Sequence, residues 1–146
     1  MYLKRTSYRR LIQTYTSFLH AYNLVVSNKT LIFAIKSKFM SNKEILTILK
    51  ERMNSFMPKD AEVLLFGSRA RGDYSDASDW DLLVLLDRPD RISVAELGKI
   101  AYPFYDLGAE LDIEINPVIY TRKDWQYRKY TPFYANATAD SIRIWG

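Results

Sequence analysis

Two carboxylates at the start of an apolar run are the feature that most limits how this chain can fold. The segment LFGSRARGDYSDASDWDLLVLL ends one apolar run at Phe66 and begins the next at Trp80, with Asp79 and Asp81 on either side of the tryptophan. Residues two apart on a strand point to the same face of a sheet, so the two carboxylates lie close together and repel each other. Buried carboxylates need a partner. The sheet must therefore bring arginines or metal ions to this strand end.

Capping patterns predict two amphipathic helices around this segment. The capping boxes, each Ser and Glu three residues apart, are Ser41 with Glu44 and Ser93 with Glu96. Apolar residues recur at helical spacing after the first box and stop at Pro58, where a helix is expected to end. We expect the second helix to bend or end near Pro103, because proline lacks the backbone N–H that a helix interior uses.

Strand patterns complete the prediction of the fold. The runs AEVLLF and WDLLVLL have strand length, and LDIEINPVIY alternates apolar and polar residues, with Pro117 favouring an edge strand or a bulge. Thr121 and Asp124 predict the cap of a short helix, and SIRIW predicts a final strand. The order α, β, β, α, β, α, β indicates an α+β (α/β-like) domain with a short mixed sheet backed by helices.

Charge divides the chain at residue 40. Residues 1–39 contain seven Lys and Arg and no acidic residue, whereas residues 40–146 carry a net charge of −3. We predict a domain at residues 40–146 and a basic N-terminal extension at residues 1–39. The extension can be upstream or dispensable sequence, a basic nucleic-acid arm, a targeting segment or a structural piece. The net charge of residues 40–146 makes nucleic acid an unfavoured partner for that domain.

Composition excludes several kinds of chemistry and location. The chain has one histidine and no cysteine, which excludes His-rich metal sites and mechanisms with a histidine base. No apolar run approaches the roughly 20 residues of a membrane span, so we expect no membrane association. The lack of cysteine fits a reducing compartment, and a cytoplasmic location is expected.

The residues after Phe66 have the chemistry of a nucleotide site. Gly67 and Ser68 offer backbone N–H groups and a hydroxyl at a strand end, and Arg69 and Arg71 can reach one phosphate. The Asp pair supplies hard oxygen ligands, which select Mg²⁺ or Mn²⁺. Each feature alone fits an ordinary turn, surface ion pair or solvated loop. Their conjunction predicts a site for a nucleoside triphosphate and its metals.

Gly67-Ser68, a ten-residue spacer and Asp79-Trp80-Asp81 resemble the minimal nucleotidyltransferases of the DNA polymerase beta superfamily. The resemblance runs from about Met40 to Trp145. It implies a nucleotidyltransferase fold and transfer of a nucleoside monophosphate from a triphosphate to a hydroxyl. It also implies that Gly67 and Ser68 hold the triphosphate, ATP or another NTP, and that the two aspartates ligate two Mg²⁺ or Mn²⁺ ions. The roles of the two arginines rest on local chemistry alone.

The same resemblance implies a third catalytic carboxylate on a neighbouring strand. Asp112, Glu114 and Asn116 share one face of the LDIEINPVIY strand. We choose Glu114 as the catalytic and metal-binding residue, with Asp112 as the next candidate. Alignment on the following YTRKDW favours Asn116 at the expected place, which would make catalysis weak or absent.

The acceptor is the least specified part of the prediction. Small members of the resembled family frequently act as antitoxins beside a helical HEPN-type toxin, some by attaching AMP to a toxin tyrosine. The leading expectation is therefore AMP transfer to a hydroxyl on a partner protein. The alternatives are a binding-only antitoxin without turnover, or a transferase that acts on a small molecule or a nucleic acid.

Overall fold

The fold consists of four strands and five helices in the part of the chain that the computed structural model describes, residues 40–89 and 91–146. In chain order the elements are α1 (Asn42–Phe56), β1 (Ala61–Phe66), α2 (Ser68–Arg71), β2 (Trp80–Leu86), α3 (Val94–Leu111), β3 (Ile115–Thr121), α4 (Arg122–Tyr127), α5 (Pro132–Ala139) and β4 (Ile142–Trp145). The predictions made for residues 1–39 lie outside the described residues.

The strands form one mixed sheet in the order β3-β2-β1-β4. β1 is antiparallel to β2 and β4, whereas β2 and β3 are parallel. The register places Phe66 opposite Asp81, and Asp81 opposite Asn116. Pro117 lies in the edge strand β3, where its missing N–H breaks no interior ladder, as predicted. The expected α+β fold with a short mixed sheet is confirmed.

Alternating side chains of β2 enter two layers of the core. Leu83 and Leu85 pack with Trp125 and Ala137 from the C-terminal helices. Leu82, Val84 and Leu86 are fully buried, and the strand alternation turns them to the opposite face. α1 and α3 also meet in the core, where the rings of Phe56 and Phe104 make an edge contact with centroids 5.0 Å apart. This packing fixes the start of β2, where the Asp pair lies.

Side-chain caps begin three helices where the sequence predicts them. Both capping boxes form, because each serine hydroxyl accepts a hydrogen bond from the glutamate N–H and each glutamate carboxylate accepts from the serine N–H. The Thr121 hydroxyl accepts from the Asp124 N–H at 3.0 Å and caps α4.

Helix α3 does not end at Pro103, one of the two outcomes expected there. The helix continues through Pro103 to Leu111. An interior proline costs about 3 kcal/mol. The helix also buries Ile100, Phe104 and Leu107, and each buried apolar side chain contributes about 1.5–3 kcal/mol. Packing of the apolar face therefore outweighs the local cost of the proline.

Arg88 joins three elements around the end of β2 that lies away from the Asp pair. Its Nε and Nη2 donate to the two carboxylate oxygens of Asp60 at 2.7 and 2.9 Å, and its Nη1 donates to Glu96 at 2.9 Å. The hydrogen bonds from Arg88 hold the pKa of Asp60 below its ordinary value. This network ties the start of β1 to the start of α3.

Among the residues described, no helix has both the length and the apolar character of a membrane span.

Candidate active site

Gly67 brings the end of β1 into contact with the start of β2. Its backbone has φ +75° and ψ −156°, a region that is essentially restricted to glycine. A Cβ atom on this residue would lie 2.7 Å from Oδ2 of Asp81. Glycine is therefore required both by the backbone conformation and by the lack of room for a Cβ atom. The close approach places the turn after β1 directly beside the Asp81 carboxylate.

The short helix α2 follows Gly67 and presents the GSRAR segment. Ser68 is its first residue and is partly buried. Arg71 is exposed, and its Nε donates to Asp73 at 3.2 Å. Because both members of this ion pair are largely solvated, the Arg71 side chain is free to exchange Asp73 for another anion.

The carboxylates of Asp79 and Asp81 lie close together, because the side-chain amide of Asn116 contacts both of them. The Nδ2 group of Asn116 is 3.1 Å from Oδ2 of Asp79 and 3.4 Å from Oδ1 of Asp81. The parallel register between β2 and β3 accounts for this placement, because Asp81 and Asn116 are direct partners. The amide N–H donors lessen the repulsion between the two carboxylates without adding charge.

Glu114, the residue chosen as the third carboxylate, does not make these contacts. It is exposed and precedes β3, and its backbone carbonyl accepts from the Trp80 N–H at 2.8 Å. Glu114 and Asp112 line a cleft of about 430 Å³ that Asp79 also borders. The contacts thus bring Asn116 to the Asp pair, the alternative that the sequence left open, and leave Glu114 at the neighbouring cleft.

Arg69 differs sharply from Arg71 despite the shared motif. It is buried, with 8% of its surface exposed, and its guanidinium donates to the backbone carbonyls of Ser78 and Asp79 and to Oδ1 of Asn42. Desolvation by burial lowers the pKa of this guanidinium from its ordinary value. These contacts do not favour the predicted phosphate contact for Arg69.

Sequence reasoning did not identify three residues around Arg69. Oδ1 of Asn42 accepts a hydrogen bond from the Arg69 guanidinium, and the rings of Tyr74 and Trp80 lie 5.2 and 4.6 Å from the guanidinium carbon. Trp80 between two aspartates was a usable signal, because a tryptophan at a buried strand start is well placed to hold a cation. Nothing local connects Asn42 to a residue 27 positions away.

The donor set around the Asp pair suits a hard divalent cation that is shared with a substrate. The described residues contain no group of three His, Cys, Asp or Glu side chains arranged to hold a metal ion. Mg²⁺ is usually bound through one or two carboxylates together with substrate phosphates, so a full protein cage is not needed. Two converging carboxylates therefore fit an ion whose remaining ligands come from a nucleotide and water.

Comparisons with known proteins show which family the chain resembles. The family model described as "Nucleotidyltransferase domain" matches residues 43–134. A Methanocaldococcus jannaschii protein with the provisional name protein adenylyltransferase is 38% identical over 81 residues, which are 55% of this chain and 72% of that protein.

Two solved structures are similar in fold. One, titled "Crystal structure of the toxin-antitoxin with AMP-PNP", has 20% identity and a TM-score of 0.50 and covers 69% of this chain and 73% of that chain. The other, a provisionally assigned nucleotidyltransferase from Sulfolobus solfataricus, has 22% identity and a TM-score of 0.45 and covers 83% of this chain and 91% of that chain.

Proposed function

Because the chain belongs to the nucleotidyltransferase domain family, we propose that it transfers AMP from ATP to a hydroxyl group of a partner protein. The observation that carries this proposal is the convergence of Gly67, Asp79 and Asp81. The backbone at Gly67 approaches the Asp81 carboxylate closely, and Asn116 lies within 3.1–3.4 Å of both aspartates. A phosphate-binding turn and two cation ligands are thereby adjacent.

Each residue of the site has a defined role in the proposal. Asp79 and Asp81 hold two Mg²⁺ or Mn²⁺ ions, and Gly67 and Ser68 contact the triphosphate. Arg71 leaves Asp73 and pairs with a phosphate oxygen. The bound cations supply charge stabilisation for the phosphoryl oxygens. Catalysis is mainly positioning and charge neutralisation.

The proposed reaction is an in-line displacement at the α-phosphorus of ATP. The acceptor oxygen forms a bond to the α-phosphorus, and the bond from that phosphorus to the oxygen bridging to the β-phosphate breaks. Pyrophosphate leaves, and the acceptor hydroxyl releases its proton to water. The protein contributes by aligning the acceptor oxygen and the leaving oxygen on opposite sides of the phosphorus.

A protein acceptor is supported by the name of the M. jannaschii relative, which designates a protein adenylyltransferase. The toxin-antitoxin title of the structural neighbour fits a helical HEPN-type toxin as the partner. A cytoplasmic location is part of the proposal, because ATP is abundant there and a chain without cysteine suits a reducing compartment.

The proposal is tested with radiolabelled ATP, Mg²⁺ and the protein encoded beside this one. We expect label from the α-phosphate, but not from the γ-phosphate, to become covalently attached to the partner. Asp79→Asn should abolish labelling. Arg143→Gln, a change at an exposed position of strand β4, is the matched control and should leave labelling intact. Labelling that persists in Asp79→Asn would overturn the assigned site.

A binding-only antitoxin is the second candidate, and the position of Asn116 favours it. An amide against both aspartates offers hydrogen-bond donors where a third carboxylate would offer a ligand. If this reading holds, the wild-type protein binds its partner without transferring label, and Asn116→Asp produces transfer. If the wild-type protein already transfers label at many turnovers, the binding-only reading fails.

A further inference from the structure

We propose that Arg69 is a positioning residue, which holds the backbone on both sides of Asp79 so that the Asp79 carboxylate faces the metal. This inference rests on the proposed function, because it concerns the same cation site. It assigns Arg69 a role different from nucleotide contact.

The hydrogen bonds of Arg69 act on the two peptide groups that flank the Asp79 Cα. Nε donates to the Ser78 carbonyl at 2.8 Å and to the Asp79 carbonyl at 3.2 Å, and Nη2 also donates to the Ser78 carbonyl. The Ser78 carbonyl belongs to the peptide before the Asp79 Cα, and the Asp79 carbonyl belongs to the peptide after it. Restraining both peptide planes sets the direction of the Asp79 Cα–Cβ bond and thus the position of its carboxylate.

The guanidinium is itself held on its other sides. Nη1 donates to Oδ1 of Asn42 at 2.7 Å, which ties the group to the first turn of α1. The guanidinium carbon lies 4.6 Å from the centroid of the buried Trp80 ring and 5.2 Å from that of Tyr74. No carboxylate in the described residues lies within ion-pair distance of Arg69. The buried charge is stabilised instead by cation–π contacts and by carbonyl acceptors.

A lysine cannot replace this arrangement. The planar fork of arginine directs two nitrogens to one carbonyl and a third to Asn42, whereas the lysine ammonium is a compact point charge. Partners that orient a metal ligand typically change metal affinity about 10- to 100-fold when they are removed. Loss of the fork is therefore expected to weaken cation binding at the Asp pair while the nucleotide-contacting groups remain in place.

The experiment measures Mn²⁺ binding to the full chain by electron paramagnetic resonance, with Mn²⁺ alone as the probe. We expect Arg69→Lys to raise the Mn²⁺ dissociation constant about 10- to 100-fold. Asn42→Ala, which retains Arg69 and removes only one acceptor, should raise it less. The matched control is Arg143→Lys, an arginine-to-lysine change at an exposed position of β4 that has no part in the proposed site, and it should leave Mn²⁺ affinity unchanged.

The outcomes separate a positioning role from a purely structural one. A purely structural role would lower the melting temperature of Arg69→Lys and leave the Mn²⁺ affinity of the folded protein unchanged, which overturns the inference. If Arg69→Lys does not fold, the Mn²⁺ affinity of Asn42→Ala is measured instead, and an unchanged affinity overturns the inference. If the wild-type chain binds no Mn²⁺, the proposed metal site fails and the inference fails with it. Unchanged affinity in the variants of a Mn²⁺-binding wild type overturns the inference alone.

Discussion

Replacement of Gly67 by alanine tests the closest contact in the proposed site. The new methyl carbon would lie 2.7 Å from Oδ2 of Asp81, well inside the 3.4 Å of an ordinary contact, so the carboxylate or the turn must move by about 0.7 Å. The backbone at φ +75° and ψ −156° adds strain of about 1–3 kcal/mol for any residue with a Cβ. We therefore expect both lower stability and a displaced Asp81.

Gly72→Ala is the matched control, because it also places a Cβ atom on a backbone with positive φ but without the contact. Gly72 has φ +87° at the end of α2, and an added Cβ meets nothing within 4 Å. For a domain of about 100 residues, each 1 kcal/mol lowers the melting temperature by roughly 4–8 °C. Strain of about 1–2 kcal/mol at Gly72 corresponds to a decrease of roughly 4–16 °C. Gly67→Ala should lower the melting temperature by at least as much as Gly72→Ala does.

The decisive measurement is Mn²⁺ affinity beside thermal unfolding. We expect Gly67→Ala to lose most of its Mn²⁺ affinity and Gly72→Ala to bind as the wild type does, although both unfold at lower temperature. Equal Mn²⁺ affinity in the two variants would refute the reasoning, because it would mean that Asp81 either relaxes without consequence or does not bind the ion.

Three other changes have defined outcomes. Asp81→Asn should abolish Mn²⁺ binding in calorimetry and leave the metal-free melting temperature equal or higher, because one of two repelling charges is removed; a clear fall in that temperature would contradict this. Arg88→Met should lower urea-measured stability at pH 7 by about 0.2–1 kcal/mol, since the ion pairs are partly solvated. The pKa of Asp60 is lowered in the folded state, so its stabilisation is present above its ordinary pKa of 3.8 and is lost as pH falls through the folded value. Arg88→Met should therefore lose less stability than the wild type between pH 5 and pH 2, and parallel pH profiles would refute the assignment. Removal of residues 1–39 should leave melting temperature and Mn²⁺ affinity unchanged, because residues 40–146 form a compact unit of their own; an unfolded or non-binding product would place those residues in the domain.

Sequence patterns were sufficient wherever the determining interactions are local. The capping boxes at Ser41 and Ser93 join groups three residues apart, and the strand runs follow from alternation and length. The motif around Gly67 and the Asp pair also indicated the family, because its spacing places a turn and two carboxylates at adjacent strand ends. These features depend on backbone geometry that a short stretch of chain already specifies.

Predictions from local sequence rules failed where the structure depends on packing or pairing between distant segments of the chain. Proline rules predict a bend or an end near Pro103, but the helix does not end there, because the buried apolar face of α3 keeps it helical to Leu111. The choice among Asp112, Glu114 and Asn116 depended on where α3 ends and β3 begins, because Asp112 caps the end of α3 and Glu114 precedes β3. The alternating pattern predicts one strand face for all three residues, whereas in the structure only Asn116 lies in the strand, where it pairs with Asp81.

The two arginines of the GSRAR segment also show which features follow from the local sequence and which depend on tertiary packing. The sequence by itself determined that Arg69 and Arg71 follow Gly67 within one helical turn. Only the tertiary structure decided that Arg69 is buried against Trp80 and Asn42 while Arg71 remains exposed. The physical reason is that the environment of a charged side chain is set by what packs over it, and here that comes from α1 and β2 rather than from neighbouring residues in the motif.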